Sequence, residues 1–138
     1  MACGLWEGRM IDLPPGLERT GRACARVLYQ GKILVTAVRA GHWTLPGGGI
    51  ELNETAAGAA GREVWEECGA HVVIEGVAFV VISPHNGVTS SIFLARLLRQ
   101  ETNSEGRKHA WVVPTQTPWC DECQLAPALT VMRERGWL

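Results

Sequence analysis

The chain has 138 residues and a mass of 15.0 kDa, which is the size of one domain that folds around a single core. Its formal net charge of −1 excludes the basic excess that proteins use to bind nucleic acid or membrane surfaces. No apolar run approaches the roughly 18 residues that a membrane-spanning helix needs, so we expect neither a nucleic-acid partner nor a membrane.

The N-terminal segment and the cysteines indicate the cellular compartment. Residues 1–10 contain no basic stretch followed by an apolar core, so the sequence predicts no signal peptide. Five cysteines without a framework spacing are typical of free thiols in a reducing compartment. We therefore expect a cytoplasmic protein, a monomer or a homodimer, with residues 1–138 forming one domain.

Strands dominate the predicted elements, which follow an irregular proline-containing segment at residues 12–21. The pattern predicts strands at residues 22–30, 33–39, 71–83, 90–98 and 110–114, and a short strand running into a glycine-rich turn at 42–51. Helices are predicted at residues 55–68 and 121–135. The first is well defined, because Thr55 is a suitable N-cap and Gly69 a suitable glycine after the last turn. Short strands with one central and one terminal helix predict an α/β protein with a mixed sheet between helices.

Three acidic residues crowd the central helix. Glu63, Glu66 and Glu67 are three or four positions apart, so we expect them to project from one face and to repel one another. Arg62 is the only cation nearby in the sequence. A hard divalent cation such as Mg²⁺ or Mn²⁺ would relieve the repulsion, since these ions take carboxylate oxygens and share their sites with phosphates. The alternative is an acidic helix face that is simply solvated.

The glycines at positions 47–49 supply a complementary feature. Without side chains, Gly47, Gly48 and Gly49 allow the backbone to come close to a ligand. Their carbonyl groups are possible metal ligands and their N–H groups are possible contacts for an anion. Read alone, however, three consecutive glycines usually form only a turn.

The spacing of these residues decides between the alternatives. Gly48 is followed after five residues by Glu54, and after seven more by Arg62-Glu63-Val64-Trp65-Glu66-Glu67-Cys68-Gly69-Ala70. This pattern resembles the Nudix box, G-x5-E-x7-R-E-U-x-E-E-x-G-U with U apolar, at every specified position. Seven fixed residues match by chance with a probability on the order of 10⁻⁸ per start position, so the chain is identified as similar to Nudix hydrolases.

The resemblance implies a Nudix-type α/β/α sandwich with a mixed sheet. It also implies cleavage of a phosphoanhydride bond in a nucleoside diphosphate linked to another moiety, with Mg²⁺ or Mn²⁺ as cofactor. By position, the implied metal ligands are Glu63, Glu66, Glu67 and the Gly47 carbonyl. The family pattern also implies that Glu54 and Arg62 pair and so support the site structurally.

The general base is left open by the sequence. Glu66 or Glu63 is the preferred candidate for accepting a proton from water. Many relatives use an acid from a later loop, which here would be Glu101 or Glu105. Many relatives also have an acid before the tryptophan of the last strand, whereas this chain has Ala110 at that position.

Residues around the box bear on the substrate. Residues 39–51 and 106–113 resemble the diphosphoinositol and diadenosine polyphosphate hydrolases of the family. The corresponding substrate-binding residues would be Arg22, Arg39, Gly48, Arg107 and Lys108, the cations holding distal phosphates. Alternatively, these cations are solubilising surface charges. The expected substrate is a dinucleoside polyphosphate or a similar nucleotide-type small molecule.

Two other functions are compatible with the same motif. One is a nucleoside triphosphate pyrophosphatase of the house-cleaning type, and the other is a Nudix module that binds nucleotides without cleaving them. The intact set of three glutamates speaks against the second. Cys120 and Cys123 have a spacing suited to zinc, but one pair is only half of a structural site.

Overall fold

A computed structural model describes residues 4–7, 21–39, 42–82, 89–101, 108–114, 117 and 132–134. Within this part of the chain lie eight strands and one long helix. The strands are β1 (Gly4–Glu7), β2 (Arg22–Tyr29), β3 (Lys32–Arg39), β4 (His42–Thr44), β5 (Gly47–Gly49), β6 (Ala70–Ile82), β7 (Thr89–Gln100) and β8 (His109–Val112). The helix is α1 (Ala56–Cys68). None of the helices in these ranges is both long enough and apolar enough to span a membrane.

All the strands belong to one mixed sheet with the order β1-β6-β7-β2-β3-β4. Strand β5 pairs with β2, and β8 pairs with β3. The β2–β7 pair is parallel, with Arg22 opposite Ser90 and Ala23 opposite Ser91, and the other pairs are antiparallel. The predicted mixed α/β fold is therefore confirmed.

The hairpin of β2 and β3 forms where the sequence predicts it. Gln30 and Gly31 both have positive φ, 51° and 75°, between the paired residues Tyr29 and Lys32. Two left-handed residues give a turn whose twist matches that of the flanking strands. With β3 on one side and the parallel β7 on the other, β2 lies in the middle of the sheet.

Both ends of α1 are capped as the sequence predicts. The Thr55 hydroxyl accepts a hydrogen bond from Gly58 N at 3.0 Å. At the other end, Gly69 adopts the left-handed conformation with φ 66°, and its N–H donates to the Trp65 carbonyl at 2.9 Å. These caps fix the helix directly before β6.

One face of α1 packs on the sheet. Its buried stripe is made of small residues, which allow the helix axis to lie close to the strands. The buried residues that form this core are Ala23, Ala25, Val27, Leu34, Ala56, Ala59, Ala60, Val64, Cys68, Ala70, Phe93 and Ala95. Because β2 contributes alternate residues to this core, its other residues, Arg22 among them, point to the opposite face.

Three features differ from the sequence-based expectation. Residues 47–49 form strand β5 rather than a turn, because they pair with residues 22–24 and the flanking Ala25 N donates to the Pro46 carbonyl at 3.0 Å. Strand β1 was not predicted, and it pairs with the end of β6. Of the helix expected at residues 121–135, only 132–134 are described; they are helical, and Met132 is buried.

Candidate active site

The glycine strand β5 lies against α1 through a buried hydrogen bond. Gly47 N donates to Glu67 Oε1 at 3.0 Å, and the Glu67 side chain is almost completely buried. A side chain at position 47 would collide with the Ala23 carbonyl, and its Cβ would lie 2.5 Å from the Cys24 sulfur. Position 47 therefore requires glycine for packing, as well as for its backbone groups.

Gly48 makes room for a second carboxylate. A Cβ at this position would lie 2.5 Å from the carboxyl carbon of Glu63, so the Glu63 carboxylate rests against the bare backbone of β5. By contrast, a Cβ at Gly49 would meet nothing within 4 Å. The glycine strand and the acidic helix thus fit together through the first two glycines.

Arg62 occupies the centre of the acidic residues. Its guanidinium binds Glu54 in a two-pronged contact, with Nε to Oε2 at 2.7 Å and Nη2 to Oε1 at 2.9 Å. Nη1 donates to Glu63 at 3.0 Å and to Glu66 at 3.1 Å, and Nη2 donates to the Gly49 carbonyl at 2.9 Å. The Glu54–Arg62 pair that the sequence motif implies is present in the structure.

This network shifts the protonation equilibria of its members. The hydrogen bonds from Arg62 hold the pKa of Glu54 below its ordinary value. The same bonds, with those to Glu63 and Glu66, raise the pKa of Arg62, so its charge is fixed at every accessible pH. Helix α1 and the segment after β5 are therefore joined by an ion pair that persists below the ordinary pKa of a glutamate.

The three motif glutamates are less alike than the sequence suggests. We expected them to project together from one face, but Glu67 is buried, the Glu63 side chain is 15% exposed and that of Glu66 is 46% exposed. Their repulsion is partly relieved by Arg62, which bonds to two of them. Within the described ranges, no three acidic, histidine or cysteine side chains surround a common point as metal ligands do.

The chemistry of the donors nevertheless suits a hard divalent cation. Glu63 and Glu67 present carboxylate oxygens on consecutive turns of α1, both directed at β5. Hard cations prefer such oxygens and accept backbone carbonyls beside them. The absence of a side chain at Gly48 is a further fit, because the Glu63 carboxylate occupies the place that a Cβ would take and so lies directly beside the backbone of β5.

Of the five predicted substrate-binding residues, Arg22 and Gly48 lie at this site. Arg22 Nη2 donates to the Gly47 carbonyl at 3.4 Å. Lys108 is exposed just before β8, and its carbonyl accepts a bond from Ala37 N, so nothing described brings it to β5. The Arg39 backbone belongs to β3, but its side chain and the whole of Arg107 lie outside the described residues.

The possible late base Glu101 has other partners. Its carboxylate contacts His71 Nε2 at 3.1 Å and Arg99 Nε at 2.9 Å, and the His71 ring stacks on Trp65 at 4.5 Å. The hydrogen bond from His71 is the main cause that lowers the pKa of Glu101. Glu105, Cys120 and Cys123 lie outside the described residues, so their predicted roles stay predictions.

One polar residue beside the site was missed by the sequence reasoning. Ser90 pairs with Arg22 across the parallel β2–β7 ladder and is 1% exposed. A serine in a mostly apolar strand is the feature that could have indicated it, but the sequence does not tell which residue of which strand pairs with Ser90.

Comparison with known proteins finds similar sequences and similar folds. The sequence profile of the NUDIX domain matches residues 19–125. A MutT-like protein of Streptomyces ambofaciens is 30% identical over 105 residues, which cover 74% of this chain and 68% of the relative. A pyrophosphohydrolase structure from Bacillus subtilis superimposes with a TM-score of 0.67 at 20% identity, covering 98% of this chain and 92% of that chain. An ADP-ribose pyrophosphatase structure from Streptococcus suis gives 0.62 at 24% identity, covering 85% and 92%.

Proposed function

The chain belongs to the Nudix family of hydrolases, and from this membership we propose that it is a pyrophosphohydrolase that requires Mg²⁺ or Mn²⁺. Its substrate would be a nucleoside diphosphate linked to another moiety, cleaved at a phosphoanhydride bond by water. The two solved structures are less than 25% identical to this chain, so they establish its fold only. The substrate is part of the proposal.

The proposal rests mainly on one observation: two carboxylates of α1 lie against the glycine strand β5. Glu67 is bonded to Gly47 N, and the Glu63 carboxylate lies against Gly48. A buried carboxylate costs free energy unless its charge is compensated. The bond from Gly47 N holds Glu67 Oε1 between α1 and β5, close to the Glu63 carboxylate that lies against Gly48, and a divalent cation at this place would compensate both negative charges.

Each residue then has a role in the reaction. Glu63, Glu66, Glu67 and the Gly47 carbonyl would hold the cation. When bound, such an ion neutralises the phosphate charge and lowers the pKa of a coordinated water. The Glu54–Arg62 pair would hold the carboxylates in position, and Glu66 or Glu63 would accept the proton from the attacking water.

The basic residues support a substrate with several phosphates. Arg22 lies beside the Gly47 carbonyl, to which its Nη2 donates at 3.4 Å. With Gly48, Arg39, Arg107 and Lys108 it would bind the phosphates of a dinucleoside polyphosphate or a similar compound. A nucleoside triphosphate pyrophosphatase is the alternative. We propose a cytoplasmic location for either activity.

Hydrolysis of a nucleotide panel tests the proposal. Phosphate release with Mg²⁺ or Mn²⁺ is measured for dinucleoside polyphosphates, nucleoside diphosphate sugars and nucleoside triphosphates. Glu67→Gln keeps an oxygen that can accept the bond from Gly47 N but removes the charge, so activity should fall by roughly 10²-fold or more while the protein stays folded. Glu75→Gln, an exposed acid in β6, is the control and should remain active. If the wild type hydrolyses no panel member but binds nucleotides, the non-catalytic alternative replaces the proposal.

The base is identified by separating metal affinity from turnover. Glu63→Gln and Glu66→Gln are each assayed for Mn²⁺ affinity and for kcat at saturating Mn²⁺. Substitution of a residue that acts only as a ligand should lower the affinity for Mn²⁺, and saturating Mn²⁺ should restore kcat. Substitution of the base should lower kcat at every Mn²⁺ concentration, and the pH profile of that variant should lose its acidic limb.

A further inference from the structure

Two buried polar groups lie side by side without partners at one edge of the glycine strand. Ser90 Oγ and Arg22 Nε are both buried, and neither has a hydrogen-bond partner among the described residues. Arg22 and Ser90 are direct partners in the parallel ladder, so both side chains point to the same face of the sheet. This face is opposite the one covered by α1.

The position of this pair relative to the proposed active site is well defined. Arg22 is also the ladder partner of Gly49, and its side chain makes a long 3.4 Å contact from Nη2 to the Gly47 carbonyl. Gly21 packs directly on Thr89, and its carbonyl accepts a bond from Ile50 N at 3.0 Å. The starts of β2 and β7 and the end of β5 therefore meet at Arg22 and Ser90.

The chemistry of the two groups restricts what they bind. A guanidinium only donates hydrogen bonds, and a serine hydroxyl is able to donate one. A buried hydroxyl without a partner costs free energy, as does an unpaired guanidinium N–H. Because the two groups do not bond to each other, a ligand that satisfies both must accept from both. An oxyanion meets this condition, and the oxyanion that the proposed active site beside it would bind is a phosphate.

We propose that Ser90 and Arg22 form a phosphate subsite that works without metal and holds a phosphate next to the one at the glycine strand. This inference rests on the proposed function and adds Ser90 as a residue that selects substrates with a second phosphate. Arg22 supplies the charge, and Ser90 supplies a directional donor.

Ser91 provides a matched control within the same strand. It is also 1% exposed, and its hydroxyl is also without a partner among the described residues. Its ladder partner is Ala23, a member of the core under α1, so it faces away from Arg22. Ser91→Ala removes the same atom as Ser90→Ala, but on the other face of the sheet.

The test measures pyrophosphate binding by calorimetry, in EDTA and again with Mg²⁺, together with the thermal midpoint of the ligand-free protein. We expect Ser90→Ala to weaken pyrophosphate binding about tenfold in both buffers, as for one hydrogen bond to a charged group. Ser91→Ala should stay within twofold of the wild type. Without ligand, both variants should keep or raise the midpoint, by up to about 5 °C, because each removes an unpaired buried hydroxyl.

Three results would overturn the subsite. The first is equal affinity of the two alanine variants for pyrophosphate, and the second is no binding to the wild type in either buffer. The third is a Ser90→Ala variant that is destabilised without ligand yet binds normally, which would mean that the hydroxyl has an internal or water partner.

Arg22→Gln is a second variant. It should weaken pyrophosphate binding, and adding Ser90→Ala to it should reduce the affinity by less than Ser90→Ala does alone. Loss of the hydrolytic activity in Glu67→Gln with unchanged pyrophosphate binding in EDTA separates this inference from the proposed function.

Discussion

Replacement of Arg62 by glutamine should destabilise the protein strongly at neutral pH. Arg62 holds Glu54 by two hydrogen bonds and also bonds Glu63 and Glu66, all at 3.1 Å or less. The side chains of Arg62, Glu54 and Glu63 are only 21%, 18% and 15% exposed. The variant therefore leaves carboxylates without their cation in a partly desolvated place.

The magnitude follows from this partial burial. Removing one partner of a fully buried ion pair costs about 3–5 kcal/mol, whereas an exposed pair contributes about 0–1 kcal/mol. With about one fifth of each side chain exposed, we expect Arg62→Gln to lose about 2–3 kcal/mol of unfolding free energy. Arg99→Gln is the control, since Arg99 is 66% exposed in its ion pair with Glu101 and its loss should change stability little.

The loss should depend on pH in a defined direction. Because the folded-state pKa of Glu54 is lowered, its stabilisation is present above the ordinary glutamate pKa and is lost as the pH falls through the lowered value. The difference between wild type and Arg62→Gln should be constant from pH 5 to 8 and should shrink below about pH 4.3. Saturating Mn²⁺ should also shrink it, because a bound ion replaces the guanidinium beside Glu63 and Glu66.

Urea denaturation followed by circular dichroism measures all three effects. The reasoning fails if Arg62→Gln loses no more stability than Arg99→Gln, or if the difference persists unchanged at pH 3. If Mn²⁺ instead increases the stability difference between wild type and Arg62→Gln, then Arg62 strengthens the metal site. The idea that a bound ion replaces the guanidinium would then be wrong. Glu54→Gln should show most of the same loss, and the double variant should lose less than the sum of the two.

Two other variants report on the site. Gly48→Ala should keep the fold but lower Mn²⁺ affinity and hydrolysis roughly tenfold, because its Cβ displaces the flexible end of Glu63. In the control Gly49→Ala the new Cβ meets nothing within 4 Å, so both quantities should remain within about twofold of the wild type. Equal effects in the two variants would contradict the contact between position 48 and Glu63. Glu101→Gln should leave kcat nearly unchanged, since this carboxylate is held by His71 and Arg99, and a large loss would identify it as the base instead.

The sequence determined the local structure and the chemical family. The caps of α1 depend on Thr55 and Gly69, which act through bonds to residues three or four positions away, so their effect is readable along the chain. The turn at Gln30 and Gly31 is equally local. The box at residues 48–70 identified the family because its spacing combines several fixed residues.

The tertiary structure decided where the charges lie. Glu66 and Glu67 are adjacent in the chain, yet Glu67 is buried against Gly47 N and the Glu66 side chain is 46% exposed, because only Glu67 belongs to the stripe of α1 that packs on the sheet and β5. Likewise, the glycines formed a strand because β2 offered them partners, which overrides their low intrinsic preference for strands. Ser90 lies beside Arg22 because the parallel ladder pairs residues that are distant in sequence, and such a register is set by the packing of the whole sheet.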